Sequence, residues 1–491
     1  MFKRKTRKHR KESRRPAHGE LAEFLAGWEL LHELASVFPH WEPGDRGRPP
    51  DLPPAALLLF GIMCIECGSD RKAEAQLRYE PTWQAVRTSL TARYPHYRGL
   101  RSTAQSISRR EFWRFREKYG IASEVLDELR DAFRSVTATI ARDHGMFDPS
   151  HGSFTHPALE NMLVGDGTVV APRYKGTPTG QQLNRETGEL EHVKFDPDAN
   201  FYKTGDGENA YGLKFGFIEA RLPHHNERII LDVFSIANEA GHDEAAEAVR
   251  SITAIHEHLP GAQAISWDMA LRGIHFDTTR ALGLVDIVKV HKTAARKGNK
   301  IPAPPGANGN RRSGHVFDLI DGSQDELELF TLDGHPHIEF IAEGQVGMLP
   351  LRKTRNRRVA QRTGGYRWYG DYRVPDHAVV PERLRGATVS IRFDRTEYDG
   401  PYNRAEHLRM ITKHDAVVGP NADPEHTSEF EQLYVLRPGS ESTNRWVKGH
   451  FSDKRSPAVG IPRTHFMLIC GALLNNARAV LARQARLKQA A

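Results

Sequence analysis

The hydrophobic pattern of the chain changes near residue 158, and this change constrains the fold more than any single motif. Before it, segments such as "ELAEFLAGWELLHELASVF" repeat apolar residues every three or four positions, the period of an amphipathic helix. After it come short apolar runs typical of strands, such as "NMLVGDGTVVAP" and "ERIILDVFSIA". We therefore expect a mostly helical domain over residues 18–157, followed by an α/β region.

Residues 158–294 predict a mixed sheet. The runs "YGLKFGFIEARL" and "ERIILDVFSIA" are joined by the turn "PHHN" and predict an antiparallel hairpin. The helix "GHDEAAEAVRSITAIHEHLPG" follows, with acidic residues in its first turn and Pro-Gly at its end. Two further short strands, "AQAISWDMA" and "LVDIVKVH", flank a helix-like segment. The predicted order is β-β-β-α-β-α-β, which is an α/β layer.

Two more segments complete the chain. Residues 295–425 begin with a stretch rich in Pro, Gly and basic residues and then become strand-like, which predicts an inserted β-rich subdomain. This insertion also contains "LRKTRNRRVAQRTGGYRWYGDYR", with eight Lys or Arg and one Asp. Residues 426–491 are expected to close the domain with helices.

The charge distribution points to a polyanion as partner. The formal charge is +7, and the first fifteen residues carry nine Lys or Arg against one Glu. Residues 1–17 are therefore expected to form a basic disordered tail, which either meets a nucleic acid or remains a solvated tail. The Cys64 and Cys67 pair lacks a second pair of zinc ligands nearby, and buried helix cysteines are the preferred interpretation. We expect a reduced, cytoplasmic protein with no membrane span.

A second basic element is predicted over residues 102–119, as a helix capped by Ser102. The aromatic residues Phe112, Trp113 and Phe115 are expected to pack inward. The arginines expected to face outward include Arg109, Arg110 and Arg114. They form either a helix that contacts DNA or a solvated basic face.

Three carboxylates are candidates for a joint site. Asp166 and Asp268 follow apolar strand segments, and Glu441 lies just inside a helix that Pro438 marks at its first turn. If the helix crosses the sheet, the three side chains meet, and their repulsion requires cations. Carboxylate oxygens suit Mg²⁺ or Mn²⁺, and two such ions can activate a hydroxyl for attack on a phosphodiester. Taken singly, a strand-end Asp is more often exposed or a helix cap.

The stretch "YVLRPGSESTNRWVK", from Tyr434 to Lys448, strengthens this interpretation. It matches the pattern Tyr-x2-Arg-x3-Glu-x6-Lys at all four positions. The chain thereby resembles the DDE transposases of bacterial insertion sequences, in the group that carries this motif. The resemblance extends over about residues 158–491 and implies a ribonuclease H-like catalytic core with a β-rich insertion before the glutamate.

The resemblance also implies roles for individual residues. Asp166, Asp268 and Glu441 would form the catalytic triad and hold two Mg²⁺ ions, for which Mn²⁺ can substitute. The residues implied in DNA binding are Tyr434, Arg437 and Lys448 on the backbone near the cleaved end, Arg272 beyond the second Asp, and Trp368 stacking on an extruded base. For Trp368, a place in the core is the commoner fate.

The function implied is that of a transposase. It would bind the terminal inverted repeats of its element through the N-terminal domain, pair two ends as a homodimer, cleave the strands with Mg²⁺ and join them to target DNA. It would act in the bacterial cytoplasm, at the nucleoid. Two alternatives remain open: a DNA-binding relic without catalysis, and a nuclease of the same fold that cuts without joining.

Overall fold

The structure is a computed structural model of the 491-residue chain. It describes residues 18–40, 50–101, 106–175, 178–184, 186–203, 208–222, 227–237, 243–268, 270–271, 274–290, 299–301, 303, 314–342, 344–393, 408–415 and 428–490. The basic tail 1–17, the Ser102 cap and Arg272 lie outside these residues. The chain divides into two compact units. Unit 1 comprises Met1–Val136, Pro172–Asp198 and Val447–Ala491, and unit 2 comprises Thr137–Ala171 and Ala199–Trp446.

The N-terminal part of the chain is helical, as predicted. Its helices are α1 (His18–Gly27), α2 (Glu29–Ala35), α3 (Pro54–Glu66), α4 (Asp70–Arg78), α5 (Glu80–Arg93), α6 (Arg98–Arg101), α7 (Arg109–Tyr119) and α8 (Ser123–Asp143). Helix α3 begins with a proline at its first position and is buried on every side up to Ile65, so it is the core helix of unit 1. Cys64 is a buried free thiol on this helix, and Cys67 follows its end.

Helix α7 begins later than the sequence suggested. The Ser108 hydroxyl accepts a hydrogen bond from the Glu111 backbone N–H at 3.3 Å, and the Glu111 carboxylate accepts one from the Ser108 N–H at 3.0 Å. This reciprocal capping box starts the helix at Arg109. Phe112 is buried as predicted, whereas the prediction for Trp113 is wrong: this ring is 44% exposed.

The last helix belongs to unit 1. Helix α13 (Ile461–Ala490) packs on α3 and α7, with the Phe466 ring centroid 6.2 Å from that of Phe115. It is the one described helix long and apolar enough to cross a membrane, but 72% of its apolar window is buried inside the protein, as in a core helix. The unit boundary at Val447 does not coincide with the predicted boundary at residue 426.

Unit 2 contains the predicted mixed sheet. Its strands are β1 (Met162–Val170), β4 (Asn200–Lys203), β5 (Asn209–Arg221), β6 (Arg228–Ser235), β7 (Ala264–Ser266) and β8 (Val285–Ile287), while β2 (Gln181–Leu183) and β3 (Leu190–His192) form a separate hairpin in unit 1. Strand β5 pairs antiparallel with β1, β4 and β6, and β1, β7 and β8 run parallel. Helices α9 (Glu244–His258) and α10 (Ile274–Ala281) complete this region. The main elements follow the chain order β1-β5-β6-α9-β7-α10-β8, which confirms the predicted β-β-β-α-β-α-β order. The short strands β2 to β4 interrupt it after the first strand.

In the described part of residues 295–425, the region predicted as a β-rich insertion, the regular structure is mainly strands. They are β9 (Asn299–Ile301), β10 (His315–Asp318), β11 (Gln324–Leu327), β12 (Leu329–Leu332), β13 (His335–Ala342), β14 (Gln345–Pro350), β15 (Arg352–Ala360), β16 (Tyr366–Arg373) and β17 (Thr388–Arg392). They form two sheets, in the orders β11-β10-β17-β16-β15 and β14-β13-β12-β9. One hydrophobic cluster joins residues of the first sheet, such as Val164, to residues of the insertion, such as Phe317. The insertion therefore shares its core with the sheet that it interrupts.

Two short helices close unit 2. Helix α11 (Glu429–Tyr434) is capped by Ser428, whose hydroxyl accepts from the Glu431 N–H at 3.3 Å. Helix α12 (Arg437–Gly449) follows after two residues. Pro438 is its second residue, a place where the missing N–H costs nothing, which confirms the helix start inferred from the sequence. Arg437 is thus within the helix, and Tyr434 precedes it.

Candidate functional site

The sheet of unit 2 places two aspartates side by side. Asp166 lies inside β1, rather than after it, and Asp268 lies two residues beyond the end of β7. The parallel register pairs Val164 with Ser266, so both aspartates stand two positions beyond one pair. Neighbouring positions of parallel strands lie about 4.8 Å apart. The first and fourth main strands therefore bring their carboxylates to one place.

The glycines on either side of Asp166 explain the segment "GDG". A Cβ on Gly165 would lie 1.8 Å from the Trp267 ring, and one on Gly167 would lie 2.6 Å from the Glu244 carboxylate. No side chain fits in either place. The two glycines thus allow an indole and a carboxylate to approach the strand directly on both sides of Asp166.

Arg437 connects two of the predicted carboxylates. Its Nη2 donates to Asp166 Oδ1 at 2.9 Å, and its Nη1 donates to Glu441 Oε1 at 2.6 Å. Both the Arg437 and the Asp166 side chains are nearly buried, at 12% and 11% exposure, whereas that of Glu441 is 64% exposed. One guanidinium therefore bridges a carboxylate of the sheet and a carboxylate of helix α12.

Asn444 is a further residue of helix α12 at this site, and the sequence interpretation missed it. Its amide donates from Nδ2 to Asp166 Oδ2 at 2.8 Å, so both oxygens of Asp166 accept a hydrogen bond from α12. The Oδ1 of Asn444 is buried and has no partner among the described residues. The signal was present in the spacing, since Arg437, Glu441 and Asn444 follow at intervals of four and three on one helix face.

Burial and mutual repulsion favour the protonated form of the aspartates. Burial raises the pKa of Asp166 to about 7, and the charges of Asp268, Glu244 and Glu441 act in the same direction against Arg437. The pKa of Asp268 is also raised, first by burial and then by Glu244. Perturbed carboxylates of this kind concentrate at functional sites. The site accumulates more negative charge than its own arginine neutralises.

Glu244 is the second residue that the sequence interpretation missed. It is the first residue of α9, and its carboxylate forms an ion pair with Lys214 Nζ at 2.7 Å. The indole Nε1 of Trp267 donates to it at 3.4 Å. The sequence had suggested only the general role of acidic residues in a first helical turn. The structure instead places this carboxylate against Gly167, next to Asp166.

The other two residues of the motif are Tyr434, at the end of helix α11, and Lys448, near the end of helix α12. Tyr434 is half-buried: its ring stacks on Phe430 at 5.2 Å, and Lys289 Nζ lies 4.6 Å from its centroid. Burial raises the pKa of Tyr434, and the charge of Arg437 opposes this rise. Lys448 lies on the last turn of α12, beyond the unit boundary at Val447.

One DNA-binding prediction, that for Trp368, requires correction. Trp368 is completely buried, its indole N–H donates to the Arg280 carbonyl at 2.7 Å, and its ring packs on Phe154. It is a core residue and cannot stack on a base from this position. Arg109 forms an ion pair with Glu74 at 2.9 Å, and Glu74 also pairs with Arg78 at 3.1 Å, whereas Arg110 and Arg114 on the same helix are exposed.

The donor set suits a hard divalent cation. Asp166, Asp268 and Glu441 offer only carboxylate oxygens, which Mg²⁺ and Mn²⁺ prefer, and neighbouring carboxylates add to the rise that burial causes in the pKa of Asp166 and of Asp268. In the part of the chain that the structure describes, no three His, Cys, Asp or Glu residues are gathered closely enough to hold a metal ion. The Arg437 guanidinium lies between the carboxylates instead.

Comparison with known proteins adds no assignment. No protein-family model matches this chain, and no characterised protein matches it. The case for a function therefore rests on the residues and their geometry.

Proposed function

We propose that the chain is a DDE transposase, with a ribonuclease H-like core, that cleaves the ends of an insertion sequence and transfers them to target DNA. The element order of the mixed sheet supports the core. So do the positions of Asp166 and Asp268 on its adjacent first and fourth main strands.

One observation supports the proposal most strongly. Asp166 and the motif residues Arg437 and Glu441 are separated by about 270 positions in the chain, yet they form one hydrogen-bonded unit. Asp166 lies on a strand of the sheet, whereas Arg437 and Glu441 lie on helix α12. Their meeting argues that helix α12 and the sheet form one site.

The chain's own residues would act as follows. Asp166, Asp268 and Glu441 would hold Mg²⁺, which supplies activation of the attacking hydroxyl and neutralisation of the leaving oxygen. For Asp166 to offer its oxygens, Arg437 has to release it. The freed guanidinium can then form a bidentate contact with a DNA phosphate. Tyr434 would donate to the backbone from beside the same centre, and Lys448 would add a point charge further along α12.

The proposal includes the partners. The substrate is double-stranded DNA, first the terminal inverted repeats and then the target, and two copies of the chain would pair the two ends. Such a protein acts at the bacterial nucleoid, in the cytoplasm. A nuclease that cuts without joining would use the same carboxylates, and a DNA-binding relic would use none of them.

Cleavage and joining can be tested separately. We expect purified protein with Mg²⁺ to cut a plasmid that carries the gene and its native flanks at the two ends of the element, and to join those ends to a second plasmid. Glu441→Gln should retain binding of the ends and lose cutting by at least about a hundredfold, because the charge that would hold the metal is gone. The matched control is Glu382→Gln, at an exposed position of the insertion.

Each outcome decides between the candidates. Cutting at wild-type rate by Glu441→Gln would falsify the triad assignment. Cutting without joining would identify the nuclease, and tight binding without cutting by the wild type would identify the relic.

A further inference from the structure

Unit 1 contains a cavity that the transposase proposal does not use. Its volume is about 580 Å³, within the range of small-ligand sites. The walls come from α3, α7, the start of α13, the segment after Pro172 and the loop before α13. All of these elements belong to unit 1.

Two aromatic rings line this cavity. Trp113 is 44% exposed, although its neighbours Phe112 and Phe115 on α7 are buried. Tyr174 is the second ring, and Lys194 Nζ lies 5.8 Å from its centroid. The Arg109 guanidinium lies over the Trp113 ring, with its Cζ 5.7 Å from the centroid, and the exposed indole offers its other flat face to a stacking ring.

Four arginines line the same cavity: Arg116, Arg173, Arg455 and Arg463. Glu117 accepts hydrogen bonds from Arg463 Nε at 2.7 Å and from Arg116 Nη2 at 3.2 Å, so this carboxylate already serves two of them. Burial leaves Arg116 Nε without a partner among the described residues. Asp70 and Asp453 also line the cavity, so its four arginines face three carboxylates.

The other two arginines contact main-chain carbonyls. Arg455 Nη1 donates to the Pro172 carbonyl at 3.0 Å, and Arg173 Nη1 donates to the Pro457 carbonyl. In the part of the chain that is described, neither forms an ion pair with a carboxylate. The reciprocal contacts hold the two segments together and fix two positive charges at the wall without neutralising them.

We propose that this cavity binds a nucleotide. The base would stack on Trp113, and the phosphate would bind Arg173 and Arg455. The shared chemistry is an aromatic base joined to a phosphate, and the source is either a free nucleotide or an unpaired nucleotide of a DNA strand. In the second case the site rests on the proposed function.

Binding is measured on the full chain with a chelator present, so that cutting plays no part. Fluorescence anisotropy first measures the binding of a short fluorescein-labelled oligothymidylate. Thymidine monophosphate and inorganic phosphate are then added as competitors. We expect Trp113→Ala to weaken nucleotide binding about tenfold because the base has no ring to stack on, and Trp113→Phe to retain most of the affinity. Arg173→Ala should also weaken binding about tenfold, because one donor to the phosphate is removed.

The controls separate this site from other basic surfaces. Arg93→Ala, at a surface ion pair with Glu29 in unit 1, should leave binding unchanged. Circular dichroism and thermal melting of each variant exclude misfolding. The basic tail would bind the labelled strand whether or not Trp113 is present. An affinity for the strand that is unchanged by both Trp113→Ala and Arg173→Ala therefore overturns the proposal.

The remaining outcomes either identify the source of the nucleotide or overturn the proposal. Competition by thymidine monophosphate that depends on Trp113 supports a free nucleotide, and Trp113-dependent binding of the oligonucleotide alone supports a nucleotide of the strand. Competition by phosphate as strong as that by the nucleotide identifies an anion site only and overturns the proposal, as does no saturable binding. None of these results depends on whether Glu441→Gln abolishes cutting, so failure of this site and failure of the transposase proposal are distinguishable.

Discussion

Unit 2 contains two clusters in which an arginine meets carboxylates, and they differ in how far they are closed. In the first, Arg280 of α10 pairs with Asp286 of β8, and the side chains are 2% and 0% exposed. The guanidinium donates to both Asp286 oxygens, at 2.8 and 3.2 Å, and also to the Phe393 carbonyl at 2.8 Å. Charge and hydrogen bonds are both satisfied, and the cluster fastens α10 and β8 to the insertion.

The second cluster, around Arg437, is incomplete. Its Nε is buried without a partner among the described residues, and Glu441 on one side is largely exposed. Several carboxylates compete for a single cation, and the pKa of Asp166 is raised to about 7. A closed arginine pair stabilises the fold, whereas the open cluster, with its excess of carboxylates, is where we propose that another cation enters.

The first prediction concerns the closed cluster. Arg280→Met should lower the free energy of unfolding of unit 2 by about 3–5 kcal/mol, because it leaves Asp286 charged and buried without its partner. Urea unfolding, followed by circular dichroism, measures this change.

The double variant Arg280→Met/Asp286→Leu provides the control. It should recover most of the stability that the single variant loses, since no unpaired charge remains. A single variant as stable as the wild type would show that the pair is not a structural fastening.

The second prediction concerns a buried histidine. His315 is 3% exposed, neither ring nitrogen has a partner among the described residues, and burial lowers its pKa to about 4. In the unfolded chain the imidazole gains a proton below about pH 6.5, whereas the folded one stays neutral down to about 4. Its contribution to stability is therefore present above about pH 6.5 and is lost as the pH falls toward about 4.

This dependence can be removed by substitution. Between about pH 7 and about pH 5, the wild type should lose about 2 kcal/mol more of its unfolding free energy than His315→Leu does. Urea titrations at the two pH values measure the difference. His377→Leu, at an exposed position of unit 2, should behave as the wild type; equal acid sensitivity of both variants would mean that the His315 imidazole titrates normally.

Sequence patterns predicted the elements of the fold well because periodicity reports burial directly. The β-β-β-α-β-α-β order and the strand character of the insertion were readable from apolar runs. What the patterns could not show is which element packs on which. Helix α13 was assigned to the catalytic region by its order in the chain, yet its apolar face meets α3 and α7, far away in sequence.

Site residues were predictable where a helix fixes their spacing. They were missed where the contact joins elements that are distant in the chain. Asp166, Arg437 and Glu441 were found from the motif and the strand pattern, and they meet. Glu244 reaches the site only because Gly167 leaves room for its carboxylate, which no local pattern records. An aromatic residue among arginines is common to Trp113 and Trp368, and only burial separates them, at 44% and 0% exposure.

The third prediction tests whether the open cluster is exchangeable. Arg437→Ala removes the cation that competes for Asp166 and Glu441, so the variant without DNA should bind Mn²⁺ about three- to tenfold more tightly than the wild type. The same variant should cut DNA more slowly, because it has no guanidinium to hold the phosphate. Titration of Mn²⁺ by electron paramagnetic resonance measures the affinity without reference to activity.

Arg437→Lys is the matched control for this test. It keeps the positive charge and should leave Mn²⁺ affinity near that of the wild type, although a lysine contacts a phosphate less well than the forked arginine does. Weaker Mn²⁺ binding by Arg437→Ala would show that the arginine organises the carboxylates and does not occupy the place of a cation.

The smallest effects concern the two basic surfaces that composition alone could not rank. In the hairpin of β15 and β16, Arg355 and Arg357 both contact Asp371, at 2.7 and 3.1 Å. Arg110 and Arg114 of α7 are instead exposed. We expect the double variant Arg110→Ala/Arg114→Ala to reduce the slope of the salt dependence of DNA binding by about 0.9 for each phosphate that these arginines neutralise.

Arg355→Ala should leave that slope unchanged and alter the unfolding free energy by less than about 1 kcal/mol, as partly exposed ion pairs do. Filter binding across a salt series measures both slopes. A larger change for Arg355→Ala than for the α7 variant would reverse the ranking and place the DNA on the hairpin. Equal slopes in all three proteins would leave the basic tail as the source of the salt dependence.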